Sequence, residues 1–464
     1  MKSFKYFLSF ALAILFSVSV VFEVQAQQLT GYPELAMKNQ RQPLYIDFIV
    51  LPGDSDSTVT FSSVFSFTYS YLPFKKSDLS KDKFISSANL SMEVFNSSKE
   101  KVREKDISIE GLEPVTRAFW TDTAFADSYE ESKSNEKFLS GHLDVSLNPG
   151  VYSYVLQMNG ASGAENRLSP VQSVIIKPYS RVKTGDVLIG EKLLSDGQID
   201  QIKLSDLGKN ILFGNDFYAL AYIPQYKKDA KYVLEVNSFE VSGTDTSQTA
   251  QIYSQKLVDD DIQTGIRPEF AEKNATGNFI NLTSSEQGFA YALLKIPAST
   301  FPNNRYHLTI KENETGQVVS QTAFQTLWID MPTSLLSLDV SIDMLRFIVS
   351  EAMLDEMSEG SRSEREQKFR KFWEQRDPTP KTVFNELMAE YYRRIDYAYE
   401  NFSTQTLPGY ETDQGKVYIK FGAPQNVERK FPPDGATTEI WHYPNRQFIF
   451  KATSGFGDFK LVSG

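Results

Sequence analysis

Residues 384–402 read FNELMAEYYRRIDYAYENF, and this stretch decides the fold of the C-terminal third of the chain. Its apolar side chains recur every three or four positions, at Phe384, Met388, Tyr391, Ile395, Ala398 and Phe402. That period predicts an amphipathic helix with one continuous buried stripe. Charged residues fill the opposite face, so we expect that face to lie in solvent.

Two more helices are predicted before this stretch. Residues 338–356 carry apolar side chains at helical spacing, which predicts one helix that ends at Gly360. Ser361 and Glu364 have the spacing of a capping box and predict the start of the next helix. Pro378 should stop that helix, because proline cannot continue the helical hydrogen-bond ladder.

After residue 415 the period becomes two. Alternation of apolar with polar residues predicts short strands at 416–421, 439–443, 447–451 and 456–462. Helices followed by consecutive short strands indicate an α+β domain, in which the helices cover one face of a small antiparallel sheet. We expect this domain to span residues 335–464.

Upstream of this domain the chain has the pattern of a mainly β protein. Strands are predicted at 44–51, 58–72, 88–95, 139–147, 151–158 and 171–176, with Gly, Pro, Asn and Ser clusters between them. Within 58–72 aromatic residues alternate with Ser or Thr, which suits a strand that covers a core from one face. The phrase PGVYSYVL at 149–156 has a partner, PNNRYHLTI, at 302–310. These patterns predict two tandem immunoglobulin-like β-sandwiches, at residues 40–180 and 181–330.

The N-terminal residues have the pattern of an export signal. Lys2 and Lys5 precede an apolar run, and small residues near Ala26 suit a signal peptidase. We therefore expect residues 1–26 to be a cleaved signal peptide and the mature protein to reach the periplasm or cell envelope. Cysteine is absent, which excludes disulfides and the cysteine that carries a bacterial lipid anchor, so we expect no lipoprotein.

Hydropathy and charge limit the partners. No segment after the signal approaches the roughly 20 apolar residues of a membrane-spanning helix, so we expect no transmembrane segment in the mature chain. The formal net charge is −11, which argues against nucleic acid as the main partner.

Several motifs of the C-terminal third occur together in one order. They are FW (372–373), RDPTP (376–380), NE (385–386), EYYRR (390–394), GYETD (409–413), GKVYIKFG (415–422), EIWHY (439–443) and GFGDF (455–459). This segment resembles the GWxTD domain of exported bacterial proteins, over about residues 339–462. Two positions depart from the family pattern: Tyr410 stands where Trp is usual, and Gln425 stands where an acidic residue is common.

The resemblance implies an exported protein with sandwich-like strands ahead of the named domain, and it implies no reaction. We expect the motif positions to serve structure or binding rather than catalysis. They are Arg376, Asp377, Pro378, Glu390, Tyr391, Arg393, Gly409, Tyr410, Thr412, Asp413, Gly415, Gly422, Trp441, His442, Gly457 and Asp458. Asp377 in particular can accept backbone N–H bonds where two helices meet.

A hydrolytic role stays open for four carboxylates, because two Asp or Glu side chains roughly 5 to 10 Å apart suffice for glycoside hydrolysis. The candidates are Asp413, Glu439, Glu390 and Asp458. Structural interpretations compete with this role. Asp413 can close a turn into the predicted strand, Glu390 can pair with Arg393 or Arg394, and Asp458 lies in a Gly-flanked turn.

No metal or cofactor is expected. The chain has three histidines, His142, His307 and His442, and no spaced metal-ligand motif. No Gly-x-Ser-x-Gly elbow occurs in the C-terminal domain.

These features favour a non-enzymatic envelope protein with a binding or scaffolding role. Its β-sandwiches and aromatic-rich surfaces would bind a partner, most plainly another envelope protein. Two alternatives remain at this point, a carboxylate-dependent hydrolase of envelope glycan or polysaccharide and a carbohydrate-binding module protein. The pattern leaves the oligomeric state open.

Overall fold

The computed structural model describes residues 31–38, 42–55, 57–77, 83–98, 107–159, 165–167, 169–195, 199–242, 245–272, 277–432, 435–453 and 458–464. The chain forms two units. Residues 41–329 make up the β unit, and residues 330–464 make up the C-terminal unit together with the described residues before 41, which form helix α1 (Tyr32–Lys38). The predicted signal peptide, residues 1–26, lies outside the described residues.

Among the described residues, the first half of the β unit contains nine strands and one short α-helix. They are β1 (Leu44–Pro52), β2 (Val59–Thr68), β3 (Lys75–Lys76), β4 (Phe84–Asn96), β5 (Thr116–Ala126), α2 (Tyr129–Ser132), β6 (Phe138–Leu147), β7 (Gly150–Asn159), β8 (Glu165–Arg167) and β9 (Gln172–Ile176). Strands β1, β2 and β6 form one antiparallel sheet. In a second sheet β4 pairs with β3, β5 and β7, and β7 pairs with β8 and β9.

Strand β2 is buried on both faces. The prediction gave it one buried face, yet the serines that alternate with its phenylalanines are also buried: Phe61, Phe65 and Phe67, and Ser62, Ser63 and Ser66. The one-face prediction is therefore wrong here, because β2 lies between β1 and β6 in the middle of a sheet covered from both sides. The strand also ends earlier than predicted, since residues 69–71 form a turn of 3-10 helix.

The described part of the second half of the β unit contains eleven strands. They are β10 (Val187–Ser195), β11 (Asp200–Leu204), β12 (Ile211–Leu212), β13 (Phe217–Tyr222), β14 (Tyr232–Ser242), β15 (Asp245–Lys256), β16 (Ile262–Phe270), β17 (Phe279–Ser284), β18 (Phe289–Ile296), β19 (Arg305–Glu312) and β20 (Val318–Leu327). Six of them close into a barrel in the order β10-β11-β17-β16-β18-β13, and the others form the sheet β12-β20-β19-β14-β15.

The sequence patterns do not predict the barrel, and one glycine helps to close it. Strand β10 pairs with β13 through its first residues and with β11 through its last, and the register shifts at Gly190. A Cβ at Gly190 would lie 2.3 Å from the side chain of Ile202. Glycine therefore permits the bend that lets one strand join two neighbours around a closed sheet.

The mainly β prediction is confirmed, and each of the six predicted strands has an observed counterpart. One hydrophobic core extends from β1 and β2 to barrel residues such as Ile202 and Leu220, and a second core lies between the barrel and the five-stranded sheet. The division into domains at 40–180 and 181–330 stays a prediction.

In the C-terminal unit, the residues that the structure describes add five α-helices and a four-stranded antiparallel sheet. They are α3 (Leu338–Met344), α4 (Glu351–Ser358), α5 (Arg362–Glu374), α6 (Glu386–Phe402), α7 (Asp413–Phe421), β21 (Asn426–Lys430), β22 (Thr438–Tyr443), β23 (Arg446–Ala452) and β24 (Phe459–Ser463). Trp441 and Phe450 of the sheet pack against Val417 and Phe402 of the helices. The predicted α+β arrangement of helices on a small sheet is confirmed.

Helix α6 and the capping box of α5 agree with the prediction, whereas the predicted helix over 338–356 is interrupted. Ser361 accepts a hydrogen bond from the backbone N–H of Glu364, as expected. The first helix ends in a 3-10 turn, and Ser350 caps a new helix by accepting from the N–H of Met353. Ser350 lies within the predicted apolar stripe, and as an N-cap it marks the start of a new helix. The spacing of the apolar residues alone does not show this start.

The strand predicted at 416–421 is wrong, because these residues form helix α7. Thr412 caps its start, and Gly422, with a φ of 76°, ends it. The helix packs between two cores, with Ile419 facing the other helices and Val417 facing the sheet. Burial on two sides makes alternate residues apolar, and over six positions this resembles a strand.

In the part of the chain that the structure describes, no helix has both the length and the apolar composition of a membrane span.

Candidate functional site

The GYETD pentapeptide, residues 409–413, joins α6 to α7 and begins with a 3-10 turn. A Cβ at Gly409 would lie 1.8 Å from the backbone oxygen of Ala398. A Cβ at Gly415 would lie 1.8 Å from the backbone oxygen of Gly409. Both positions therefore require glycine, because only a residue without Cβ lets the turn approach the two helices so closely.

Tyr410 fills a buried pocket at the position where the family usually has Trp. Its side chain is 6% exposed. The ring meets the edge of Tyr32 with centroids 5.3 Å apart, and the guanidinium of Arg346 lies 5.8 Å from the ring centre. Burial raises the pKa of the Tyr410 phenol. The residue is thus a core side chain rather than an exposed recognition group.

Thr412 and Asp413 fix the start of α7. The Thr412 hydroxyl accepts from the N–H of Gly415 at 3.0 Å and donates to the carbonyl of Gly409 at 2.7 Å. Asp413 accepts from the N–H of Leu461 at 2.9 Å, which ties the helix to β24. The predicted turn into a strand at Asp413 is therefore wrong, because the chain enters a helix here and Thr412 supplies the cap.

Glu439 is the most buried of the four candidate carboxylates, at 2% exposure. One oxygen accepts from Gln414 Nε2 at 2.7 Å and from Trp441 Nε1 at 3.1 Å, and the other accepts from Arg429 Nε. A buried carboxylate needs such partners, since an unpaired buried charge is costly. Glu439 therefore connects α7, β21 and β22.

The other candidate carboxylates also have structural partners. Glu390 accepts from Arg394 Nε at 2.7 Å, as predicted for residues one helical turn apart. Asp458 accepts from the hydroxyl of Thr453 at 2.9 Å. The described residues contain no group of three or more His, Cys, Asp or Glu side chains that could hold a metal ion.

The Arg376-Asp377-Pro378 motif forms the junction after α5. Arg376 donates to the carbonyl of Phe372 at 2.8 Å, and its guanidinium lies 3.8 Å from the centre of the Phe372 ring. Asp377 accepts from the backbone N–H of Thr379 at 2.8 Å. That is the backbone contact expected of Asp377, and it fixes the exit from the helix.

The remaining motif residues are dispersed. Tyr391 is buried and donates to the carbonyl of Met344 at 2.6 Å, and Arg393 pairs with Asp330 at 2.5 Å. His442 is half-buried on β22, with Nε2 3.7 Å from a carboxylate oxygen of Glu428. Gly457 lies outside the described residues.

A surface of aromatic and arginine side chains covers one side of α6, α7 and the β22–β23 turn. This aromatic surface consists of Arg394, Tyr397, Tyr418, Phe421, Tyr443 and Arg446. The rings of Tyr397 and Tyr418 stack with centroids 4.3 Å apart and planes 13° from parallel. The guanidinium of Arg446 lies 4.8 Å from the centre of the Phe421 ring. Tyr397 is 43% exposed and Phe421 is 39% exposed.

The phenols of Tyr418 and Tyr443 are neutral hydrogen-bonding groups. Burial, and then the nearby Tyr418, raise the pKa of Tyr443 to about 12. Burial, and then Tyr397, raise the pKa of Tyr418. The Tyr443 hydroxyl donates to the carbonyl of Gly422 at 2.8 Å, which fixes its ring. The surface therefore offers fixed ring faces with guanidinium groups beside them.

The sequence predicts aromatic-rich surfaces but does not show which residues form this one. In the wrongly predicted strand at 416–421, Phe421 would share one face with the apolar Val417 and Ile419. Arg446 is the first residue of β23, and no motif marks it. A helical reading of 413–421, suggested by Thr412 as a cap, would have placed Tyr418 and Phe421 on one face.

Comparison with known protein families identifies the C-terminal third. A model of the GWxTD domain matches residues 309–459. These residues are a GWxTD domain. The match begins about 30 residues earlier than the resemblance suggested and includes the end of β19 and all of β20. A search of curated proteins gives no match.

Solved structures give only distant similarity. One is a purple acid phosphatase from yellow lupin (Lupinus luteus) seeds, at 13% identity, covering 61% of this chain and 41% of the phosphatase chain. The others are the C-terminal domains of the antigen I/II-family protein AspA of Streptococcus pyogenes and of the antigen I/II polypeptide BspA of Streptococcus agalactiae. Each is 10% identical over 61% of this chain, covering 99% and 100% of the two domains. All three TM-scores are 0.14, too low to support any argument about fold or function.

Proposed function

We propose that this protein is a non-enzymatic, exported envelope protein that binds another envelope protein, and that the aromatic surface of its GWxTD domain is the contact. One observation carries the proposal. Tyr397 and Phe421 are exposed beside Arg394 and Arg446, whereas the four candidate carboxylates are engaged in structural contacts. Tyr, Phe and Arg are the residue types enriched in the energetically important centres of protein interfaces.

The order of this surface favours binding. Stacking of Tyr397 on Tyr418 and the bond from Tyr443 hold the rings before a partner arrives. Rings that are already ordered lose little conformational entropy when they are covered. In the described part of the chain no carboxylate lies within ion-pair distance of Arg446, so its charge is available to an acidic group of the partner.

The proposal includes the finer architecture of the β unit. The two predicted β domains, at residues 40–180 and 181–330, would serve as the spacer and second recognition element of a scaffold. The many half-exposed positions along strands such as β16 and β19 are consistent with a unit that presents surface rather than a cavity.

Affinity capture tests the partner. A tagged full-length protein is recovered from envelope extracts after chemical crosslinking, alongside the variants Tyr397→Ala and Phe421→Ala. Phe431→Ala is the matched control, since Phe431 is 73% exposed in the same unit and lies outside the aromatic surface. We expect one defined protein in stoichiometric amount with wild type and control, and a loss of at least tenfold with the two surface variants. Recovery of monomer alone, or equal recovery with all variants, contradicts the proposal. Recovery of glycan instead of protein supports the carbohydrate-binding alternative.

Export is tested separately. Cells that produce the full chain are fractionated, and the mass of the recovered protein is measured. We expect a periplasmic or envelope-associated protein that begins at Gln27 and carries no lipid. An intact chain that begins at Met1 in the cytoplasm contradicts this part of the proposal.

A further inference from the structure

Helix α1 belongs to the C-terminal unit although the whole β unit separates it from the rest of that unit in the sequence. Its first residue, Tyr32, is only 3% exposed and lies in the same core as Tyr410 and Ile395. Leu35 and Ala36 pack partly against this core, whereas Met37 is 80% exposed. The helix thus presents the spacing of i, i+3 and i+4 that a peptide helix uses to fill a groove.

The pocket around Tyr32 matches a tyrosine side chain in both shape and polarity. The Tyr32 hydroxyl donates to one oxygen of Asp396 at 2.6 Å, and the other oxygen accepts from the backbone N–H of Thr333 at 2.9 Å. The ring meets the edges of Tyr399 and Tyr410, with centroids 5.0 and 5.3 Å away. The wall is apolar, and the carboxylate stands where the phenol needs an acceptor.

The Tyr32 phenol and the Asp396 carboxylate satisfy each other's hydrogen-bonding requirement. A buried phenol requires a hydrogen-bond acceptor, and a largely buried carboxylate requires donors. Burial raises the pKa of Asp396, and the bond from Tyr32 opposes that shift. Glu400 is a second acidic group near Asp396, and it also raises that pKa. The bond from Tyr32 therefore stabilises the charged form of Asp396.

The residues described in contact with Tyr32 or its acceptor lie between 333 and 410, so they belong to a part of the chain far in sequence from the segment that fills the pocket. We propose that the C-terminal unit carries a tyrosine-binding pocket whose ligand is residues 31–38 of its own chain, docked as a detachable peptide. An isolated helix of seven residues has little stability in water, so contacts with the C-terminal unit stabilise the helical form of this segment. Pro33 restricts the free segment and lowers the entropy lost on docking.

The test separates docking from folding by cutting the chain after it has folded. Residues 39–41 of the full-length protein are replaced by a protease recognition sequence, and the purified protein is cleaved there. A fluorescent synthetic peptide of residues 31–38 is then added in excess to exchange with the bound segment. We expect saturable binding to the cleaved protein and none to the uncleaved protein, because its pocket is occupied in cis.

Peptide variants identify the contact that matters. The Tyr32→Phe peptide keeps the ring and loses the hydroxyl, so we expect about 10- to 100-fold weaker binding. The Met37→Ala peptide is the matched control and should bind as wild type. An Asp396→Asn protein should lose most of the preference for Tyr over Phe. The proposal is overturned if the cleaved protein binds the Tyr32→Phe and wild-type peptides equally. It is also overturned if the cleaved unit loses its native amide protection and added peptide does not restore it.

Discussion

The pentapeptide Gly409–Asp413 and the aromatic surface lie in the same unit, yet one is buried and the other is open. Tyr410 is 6% exposed, whereas Tyr397 is 43% exposed. Contacts with backbone atoms on both sides restrict the pentapeptide, and ring stacking alone restricts much of the surface. A sequence signature therefore marks where the fold tolerates few residue types, and it need not coincide with the surface that binds.

Replacing Gly409 tests this comparison with the largest expected effect. In Gly409→Ala the new Cβ meets a backbone oxygen at 1.8 Å, so α6 and the turn must separate. We expect the free energy of unfolding of the C-terminal unit to fall by more than about 5 kcal/mol. Hydrogen–deuterium exchange of peptides from residues 386–421 measures this loss. Gly31→Ala is the control, since its Cβ would have no neighbour closer than 3.7 Å. Undiminished protection in Gly409→Ala would show that the turn can move away freely.

Replacing Tyr410 should give the next largest loss of stability, and Trp, the usual residue of the family at this position, serves as the reference. Tyr410→Ala should destabilise the unit by about 3–5 kcal/mol, because it empties a packed aromatic pocket. Tyr410→Trp keeps a ring there and should cost less. Denaturant unfolding of the two variants, monitored by hydrogen–deuterium exchange within residues 386–421, measures the difference between their free energies of unfolding. Equal costs would mean that the ring is not what the pocket requires.

The half-buried carboxylate of Asp47 provides a test in the β unit, where no sequence motif marks this residue. Burial raises the pKa of Asp47 from 3.8 to about 6, Lys209 opposes that shift and Asp186 adds to it. The folded pKa exceeds the unfolded one, so the stabilising contribution is complete below about pH 4 and is lost as pH rises through about 6. The loss is at most about 3 kcal/mol. We expect Asp47→Asn to flatten the dependence of unfolding free energy on pH between 4 and 7. Asp54→Asn, at an exposed site nearby, should leave the slope unchanged, and an unchanged slope in Asp47→Asn would refute the assignment.

Thr412 contributes less than its neighbours because its hydroxyl makes only two local hydrogen bonds at the start of α7. Thr412→Ala removes the bonds to the N–H of Gly415 and to the carbonyl of Gly409 and should cost about 1 kcal/mol. Thr412→Ser keeps the hydroxyl and should cost only a few tenths of the loss expected for Thr412→Ala. Equilibrium unfolding compares the two directly. A loss in Thr412→Ser as large as in Thr412→Ala would assign the effect to the methyl group instead.

The sequence predicts those features that depend on local pattern. The stripe of α6, the capping box at Ser361 and the pair of Glu390 with Arg394 all involve residues within one or two helical turns, and all agree with the structure. Helix α7 was missed because burial against two cores imitates the period of a strand. In a segment this short, the spacing of apolar residues does not distinguish a helix from a strand. Here the N-cap residue Thr412 indicates the helix.

Long-range contacts lie beyond what the pattern contains. No local signal joins Tyr32 to Asp396, because their contact depends on a chain that returns to the same core after the entire β unit. The barrel was missed for a related reason, since closure depends on the pairing of distant strands around Gly190. The aromatic surface was missed for both reasons. It includes residues of helix α7, which was predicted as a strand, and it joins them to the distant ends of β22 and β23.

Tyr397 is expected to give the smallest stability effect of the series and so sharpens the comparison most. Tyr397→Ala removes one stacked ring at the protein surface, and surface changes of this kind usually alter the free energy of unfolding by less than about 0.5 kcal/mol. The melting temperature and the exchange of residues 386–421 should therefore match wild type, while partner recovery falls. Phe431→Ala should leave both unchanged. If Tyr397→Ala instead destabilises the unit as strongly as Thr412→Ala, the aromatic surface is part of the packed structure. The contrast between a buried signature and an exposed binding surface would then fail, because both regions would be held by the same kind of contact.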